Sequence, residues 1–400
     1  GKERGKDYNH STYCDLVITG LVGLRPRSDS FVEAHPLVPP DTWDWFCLDK
    51  VAYHGQMLTI LWDRSGEKYG RGKGLRVFAD GREIARTDSL ECVTGRLPGS
   101  PQGTSAGWIK CEGGPVLGGD LGTCFDVTLL RENETYRMWF SWRPKRSLAL
   151  VESEDGIHWG RPQIVLGPNS DTKWEADINR PAVIKRPDGY HLWYTGQARD
   201  RSWIGYATSP DGIRWTRRSA EPVLSPEEPW EGIAVMCPHV LWDETSQQYR
   251  MWYSGGEQNE PNAIGYATSP DGIHWTKHRA NPVFAADPTN PWEQHKVTAC
   301  QIIPAGDWHL MFYIGFRTEE HAQIGLARSR DGVTGWQRHP ANPIIFPVQD
   351  AWDGDACYKP FAIFEEKGDR WMLWYNGRKG GFEQIGLATH PGYDLGFPAR

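Results

Sequence analysis

The chain has 400 residues, with 44 Lys and Arg against 51 Asp and Glu, a formal charge of -7 that argues against a general nucleic-acid binder. Mean hydropathy is -0.59, and no apolar run approaches the roughly 20 residues of a membrane-spanning helix, so no membrane partner is expected. The length allows two or three domains with ample core.

The chain starts at Gly1 with no visible signal peptide, and that start reads as a fragment boundary. Residues 1–96 alternate as β-structure in YCDLVITGL, LDKVAYHGQMLTILWD and GLRVFADGREIA, the last with a hairpin turn at Ala79-Asp80-Gly81-Arg82. They predict a small β-sandwich-like accessory domain. Residues 97–107, LPGSPQGTSAG, read as a Pro/Gly/Ser linker. Eight cysteines are scattered without a C-x-x-C pair; zinc is not predicted, and disulfides and compartment stay open.

From Trp108 onward one pattern repeats. Asp-Gly turns fall at Asp155, Asp211, Asp271 and Asp331, spaced by 56, 60 and 60 residues, and WE or WD pairs begin at Trp174, Trp230, Trp292 and Trp352. Such a period means a repeat architecture. Each unit reads as four strands: a short apolar one (PAVIK, PHVLW), an aromatic one (YHLWYTG, YRMWYSG), IGYATS or IGLARS, and a last one starting at a Trp. Four antiparallel strands per unit make a propeller blade. First strands near Phe125, Arg180, Pro238, Ala299 and Pro360 predict five blades over residues 108–400. The fifth unit stops after its third strand. WIKCEGGP, from Trp108 to Pro115, matches the Trp-to-Pro spacing of the other fourth strands and is expected to close the last blade, removing an exposed edge. The fold class is all-β.

Many of the 21 tryptophans are expected to fill the spaces between blades, with sugar stacking left to the remainder. The S-x-D-G turns read as structural, because Asp bonds nearby amides and Gly takes positive φ. Glu175, Glu231, Glu293 and Asp353 of the WE/WD pairs recur in every unit, which favours structure, since sites are built from exceptions to a repeat.

In a propeller the start of strand one and the loop between strands two and three line the same pocket mouth. Aligned positions before the strand-one Pro are Asp126, Arg180, Cys237, Ala299 or Cys300, and Lys359. Near them come Asp177, Asn179, His239, His295, Lys296, Asp355 and Tyr358. The loops supply Arg143, Arg199, Glu257, Arg317 and Arg378. Unlike charges converging on an axial cleft predict a polar ligand site; an internal ion-pair network is the structural counterpart.

Residues 108–398 resemble the five-bladed propeller glycosidases of families 43, 32, 62, 117 and 130. Residues 26–63, PRSDSFVEAHPLVPPDTWDWFCLDKVAYHGQMLTILWD, resemble the closing β-domain that follows a helical-barrel catalytic domain in some large glycosidases, which would make an upstream catalytic domain a partner. In families 43 and 32 a first-blade Asp is base or nucleophile, a second-blade Asp tunes the site, and a third-blade Glu is the acid. Asp126 falls on the first position, with Val127 where the family has Pro; Arg180 replaces the second Asp, and Met236 the Glu.

Glycoside hydrolysis needs one protonated and one ionised carboxyl group. The resemblance implies Asp126 as the ionised group, with Arg180 or Lys359 holding its pKa down. Glu231, Glu257 and Glu293 are candidates for the acid; Asp177 and Asp355 are candidates for tuning or sugar binding. The cations Arg143, Arg199, Arg317, Arg378, Lys296 and Lys359 suggest a carboxylated sugar or phosphate. The leading expectation is a glycoside hydrolase acting on an oligosaccharide or polysaccharide outside the cell or in a periplasm. The alternatives are a sugar phosphorylase and a non-catalytic carbohydrate-binding propeller. No cofactor is expected, with a structural or axial cation such as calcium left open.

Overall fold

A computed structural model describes residues 16–25, 31–39, 41–53, 56–97, 103–111, 113–257, 261–349 and 351–398. The chain divides into two compact units, Gly1–Gln102 and Gly103–Arg400.

The described part of the first unit holds a three-stranded antiparallel sheet (Leu24–Arg25, Phe31–Ala34, Val93–Arg96) and a four-stranded one (Trp45–Tyr53, Gln56–Asp63, Gly74–Ala79, Arg82–Thr87). Leu24, Val32 and Val93 of the first meet Leu58, Ile60, Trp62 and Val77 of the second in one apolar core, the packing of a small sandwich. The two-residue turn at Asp80-Gly81 takes φ of 47° and 78°, the left-handed geometry that matches strand twist.

The described residues of the second unit form five blades. Their innermost strands are Cys124–Glu132, Asp177–Arg186, Ala234–Asp243, Lys296–Ala305 and Ala356–Glu365. Each pairs antiparallel with an aromatic second strand: Thr135–Trp142, Gly189–Ala198, Gln248–Gly256, Trp308–Phe316 and Arg370–Lys379. Each innermost strand neighbours the next, and the fifth neighbours the first. The outer strand of the fifth blade is Ile109–Lys110, paired to the third strand Phe382–Pro391 through Lys110↔Ala388. Five apolar clusters lie between successive blades, including one between the fifth and the first, where Met372 and Trp374 meet Tyr136, Met138 and Phe140.

The repeated letters have local causes. The Trp of each WE/WD pair lies against two glycines: a Cβ on Gly196 or Gly205 would come within 2.4–2.5 Å of the Trp174 ring. That contact accounts for the Gly of Y-T-G and of I-G. The acidic partner is a clamp. Glu231 is fully buried, and its Oε2 accepts from the Glu227 and Glu228 amides at 2.7 and 2.9 Å and from Lys277 Nζ at 2.7 Å; its Oε1 accepts from Tyr253 at 2.7 Å. Glu293 takes Tyr313 and Arg338, and Asp353 takes Tyr375 and Lys110, in the same way. The Asp-Gly turns latch blades together: Trp139, Trp193, Trp252 and Trp374 donate from Nε1 to the carbonyls of Gly212, Gly272, Gly332 and Gly156 on the neighbouring blade.

Candidate active site

Every innermost strand carries a β-bulge at the same register position. The bulge residues are Asp126, Arg180, Cys237, Ala299 and Lys359, at φ of 53°, 55°, 52°, 37° and 50°. Left-handed geometry is costly for side-chain-bearing residues and persists where surrounding bonds hold it. Here the second strand of the preceding blade supplies them: the amide N–H of Arg180 donates to Ser141, Cys237 to Thr195 and Ala299 to Ser254, at 2.8–3.1 Å. Asp126 donates to Asn376 Oδ1 at 3.0 Å. A bulge re-aims its side chain, and these five line one axial cavity of about 270 Å³. At this position, therefore, the five blades contribute an acid, a guanidinium, a thiol, a methyl and an ammonium.

Asp126 is buried, and Asn376 Nδ2 donates to its Oδ1 at 3.1 Å. Its Oδ2 lies 3.5 Å from Arg180 Nε but has no hydrogen bond. Burial pushes the Asp126 carboxyl up; Arg180 and Lys359 pull it down without cancelling that cost, and Glu383 adds to the rise. This corrects the expectation that the two cations hold the group low: a fully desolvated carboxylate loses more hydration than cations off the hydrogen-bonding geometry return. Thr298 Oγ1, also lining the cavity, is buried without a hydrogen bond. Lys359 is 6% exposed, and among the described residues no hydrogen bond or ion pair reaches its ammonium. Arg180 Nη1 donates to Asn179 Oδ1 at 2.6 Å, and Asn179 Nδ2 to Gln197 at 2.7 Å.

The second carboxylate in the lining is Glu383, which was absent from the sequence candidates. Arg143 holds its Oε2 at 2.8 Å, and the Tyr358 hydroxyl donates to its Oε1. The phenol of Tyr358 is raised by burial and by that carboxylate. A signal existed: two residues before the repeated Ile-Gly of strand three stand Ser202, Asn262, Ala322 and Glu383, so the acid is the exception. Arg378 completes the cationic side and is itself bonded to Glu320 at 2.8 Å.

Other candidates lie elsewhere. Glu231 and Glu293 are blade clamps, corrected from acid candidates by their full burial and bonding. Asp177 pairs with Arg146 at 2.5 Å in a neighbouring depression shared with Arg143 and Asn179. Glu257 is exposed and 3.5 Å from the buried Lys296, and neither lines the cavity. Asp355, exposed, accepts from the Gly380 amide at 2.6 Å in a separate depression beside Arg378. Arg199, His295 and Arg317 are exposed outside the lining. His239 lies past the bulge, in an apolar cavity lined by the other halves of the inner strands; its Nε2 donates to the Ile302 carbonyl at 3.0 Å, and burial pushes its pKa down to about 3. It stands two residues past the bulge, and the advance along the strand, about 3.3 Å per residue, carries it out of the site and into the second cavity.

Among the described residues no cluster of three His, Cys, Asp or Glu side chains could hold a metal ion, and seven cysteines are free thiols. No helix is long and apolar enough to cross a membrane.

The model of glycosyl hydrolases family 43 matches residues 115–395, which hold the cavity lining and the five blades apart from the closing strand Ile109–Lys110. The chain belongs to glycosyl hydrolase family 43. This family 43 enzyme is a glycoside hydrolase, and its ligand is a carbohydrate. A second model, the C-terminal domain of glycosyl hydrolase family 65, matches residues 25–86 of the first unit. An uncharacterized protein of Mycobacterium tuberculosis (strain CDC 1551 / Oshkosh) is 30% identical over 277 residues, 64% of this chain and 89% of its own. Among solved structures, a thermostable family-43 glycoside hydrolase superposes with a TM-score of 0.55 at 17% identity, over 68% of this chain and 90% of its own. A member of the GH130 family of mannoside phosphorylases, described as containing glycoside hydrolases that target β-1,2 mannosidic linkages in Candida mannan, superposes with a TM-score of 0.58 at 16% identity, over 76% and 98%. These two likenesses are of fold.

Proposed function

We propose that the axial cavity hydrolyses a glycosidic bond in an acidic glycan, with Asp126 as the proton donor and Glu383 as the base or nucleophile. The observation that carries the reading is the buried, unbonded Oδ2 of Asp126 in a cavity that contains one other carboxylate. A carboxyl raised by burial keeps its proton at higher pH and can give it to the leaving glycosidic oxygen. Glu383 accepts from the Arg143 guanidinium and the Tyr358 hydroxyl, two bonds that fix its orientation beside Asp126 in the same lining. In this reading it acts on the anomeric side, on water or on carbon, as the second group of a glycosidase pair.

The acidic sugar follows from charge. Arg143 and Arg378 already hold carboxylates, and Arg180 faces Asp126. Lys359 lies near enough to Asp126 to bear on its charge, yet among the described residues no ion pair or hydrogen bond reaches it, so a buried cation there has room for a direct partner. A substrate carboxylate supplies one.

The same unpartnered ammonium supports a second reading, in which inorganic phosphate replaces water as the acceptor. The test is turnover of uronic-acid-containing and neutral oligosaccharides, with and without inorganic phosphate, by the wild-type chain and Glu383→Gln. Phosphate-independent cleavage of the acidic substrates, lowered at least ~10²-fold in the variant, is the expected result. Strict phosphate dependence moves the function to phosphorolysis. Unchanged turnover in the variant removes Glu383 from the chemistry.

A further inference from the structure

The first unit presents two tryptophans to solvent. Trp43 is 41% and Trp45 50% exposed, although indoles are among the most profitable side chains to bury. Trp45 stands edge-on to Tyr69 with ring centroids 6.4 Å apart, and Trp43 stands edge-on to Phe46 at 6.3 Å. One face of Trp45 carries the Lys68 ammonium, 4.2 Å from the ring centroid, so that face already receives a positive group. Charged residues lie next to the two tryptophans in the chain. Arg64 pairs with Asp41 at 3.1 Å and with Asp44 at 3.4 Å, and the two carboxylates are 88% and 76% exposed.

This combination selects among occupants. The centre of a protein interface is depleted of charged residues, yet Asp44 stands between the two tryptophans in the chain. A partner that satisfies both sets of groups must offer weakly positive C–H faces to the indoles and hydroxyls to the carboxylates and guanidinium. A pyranose ring offers both, and the enzyme belongs to a family whose substrates are carbohydrates. We propose that Trp43 and Trp45, with Asp41, Asp44 and Arg64, form a glycan-binding platform on the first unit, a site separate from the axial cavity, that holds a polysaccharide chain by stacking.

The test is native electrophoresis of the full chain through gels containing polygalacturonan, arabinoxylan or mannan. At least one polysaccharide should retard the wild type, and the double variant Trp43→Ala/Trp45→Ala should lose roughly tenfold or more in apparent affinity, as expected for removal of aromatic contact faces. Asp126→Asn should be retarded like the wild type, so loss of the catalytic assignment leaves this result standing. The double variant keeps the bond from Trp62 Nε1 to the Trp43 backbone carbonyl, 3.0 Å, and an unchanged melting temperature checks the fold. If it melts early, Trp45→Ser alone gives the same readout at a half-exposed position. No retardation in any gel, or equal retardation of wild type and variant, overturns the proposal. So does a wild-type dimer that the variant abolishes in light scattering, which would assign the patch to self-association.

Discussion

Asp126 and Asn376 grip each other across the boundary between the first and fifth blades. The Asp126 amide donates to Asn376 Oδ1 at 3.0 Å, and Asn376 Nδ2 donates back to Asp126 Oδ1 at 3.1 Å. Backbone and side chain are fixed together, with one carboxylate oxygen spent on orientation. The other, Oδ2, is buried and has no hydrogen bond. Asn376 occupies a register position where other blades have Ser141, Thr195 and Ser254, hydroxyls that bond only the amide.

Asp126→Asn should lower turnover by at least ~10²-fold with the fold intact. Burial raises this carboxyl, so its protonated form persists to higher pH and is lost as pH rises through the folded value. The wild-type rate should therefore fall on the alkaline side, and the variant's residual rate should lose that limb. A pH–rate profile of both proteins on one oligosaccharide checks this; an unchanged alkaline limb in the variant assigns it to another group.

Lys359→Met keeps the length of the side chain and removes its charge. Affinity for a uronic-acid oligosaccharide should drop by about 1.5–3 kcal/mol, the range of a charge-assisted hydrogen bond. Its neutral counterpart should change little. Titration calorimetry on both ligands, in the Asp126→Asn background to prevent turnover, makes the comparison. Equal losses count against anion recognition.

Glu231→Gln tests the clamp. The change leaves Lys277, whose side chain is 11% exposed, facing a neutral amide. Breaking a buried pair from one side costs about 3–5 kcal/mol. The melting temperature should fall by several degrees, while turnover per folded molecule stays at the wild-type level. A selective loss of turnover without a loss of stability would return Glu231 to the candidate acids.

His239 gives an acid-sensitivity prediction. Its folded pKa is pushed down to about 3 from an ordinary 6.5. The unfolded chain therefore binds the proton first, so this stability is present above about pH 6.5 and is lost as pH falls toward 3. His239→Gln, able to donate to the Ile302 carbonyl, should show a shallower fall of melting temperature over that range. Parallel curves for wild type and variant would show that other buried histidines, such as His339 and His390, carry the acid response.

The sequence by itself determined what depends on local chemistry repeated along the chain. The Asp-Gly turns, the aromatic second strands and the five-fold register are short-range patterns, and repetition made them readable. Aligning the repeats also placed Asp126, Arg180, Cys237, Ala299 or Cys300, and Lys359 at one level, because each blade breaks its inner strand at the same position; the bulge in the fourth blade decided for Ala299. Tertiary structure decided what lies across blades. Glu383 reaches the axis from a third strand, through contacts with Arg143 and Tyr358 that are 240 and 25 residues away. Glu231 and Glu293 recur in the repeat, which favoured structure, yet they stayed among the candidate acids until their buried partners from strands two and four showed the clamps. His239 lies two residues past a bulge, and the advance along the inner strand places it in the second cavity. The sign of the Asp126 shift was likewise undecidable from neighbours in sequence, because desolvation is set by every blade that closes around the carboxyl.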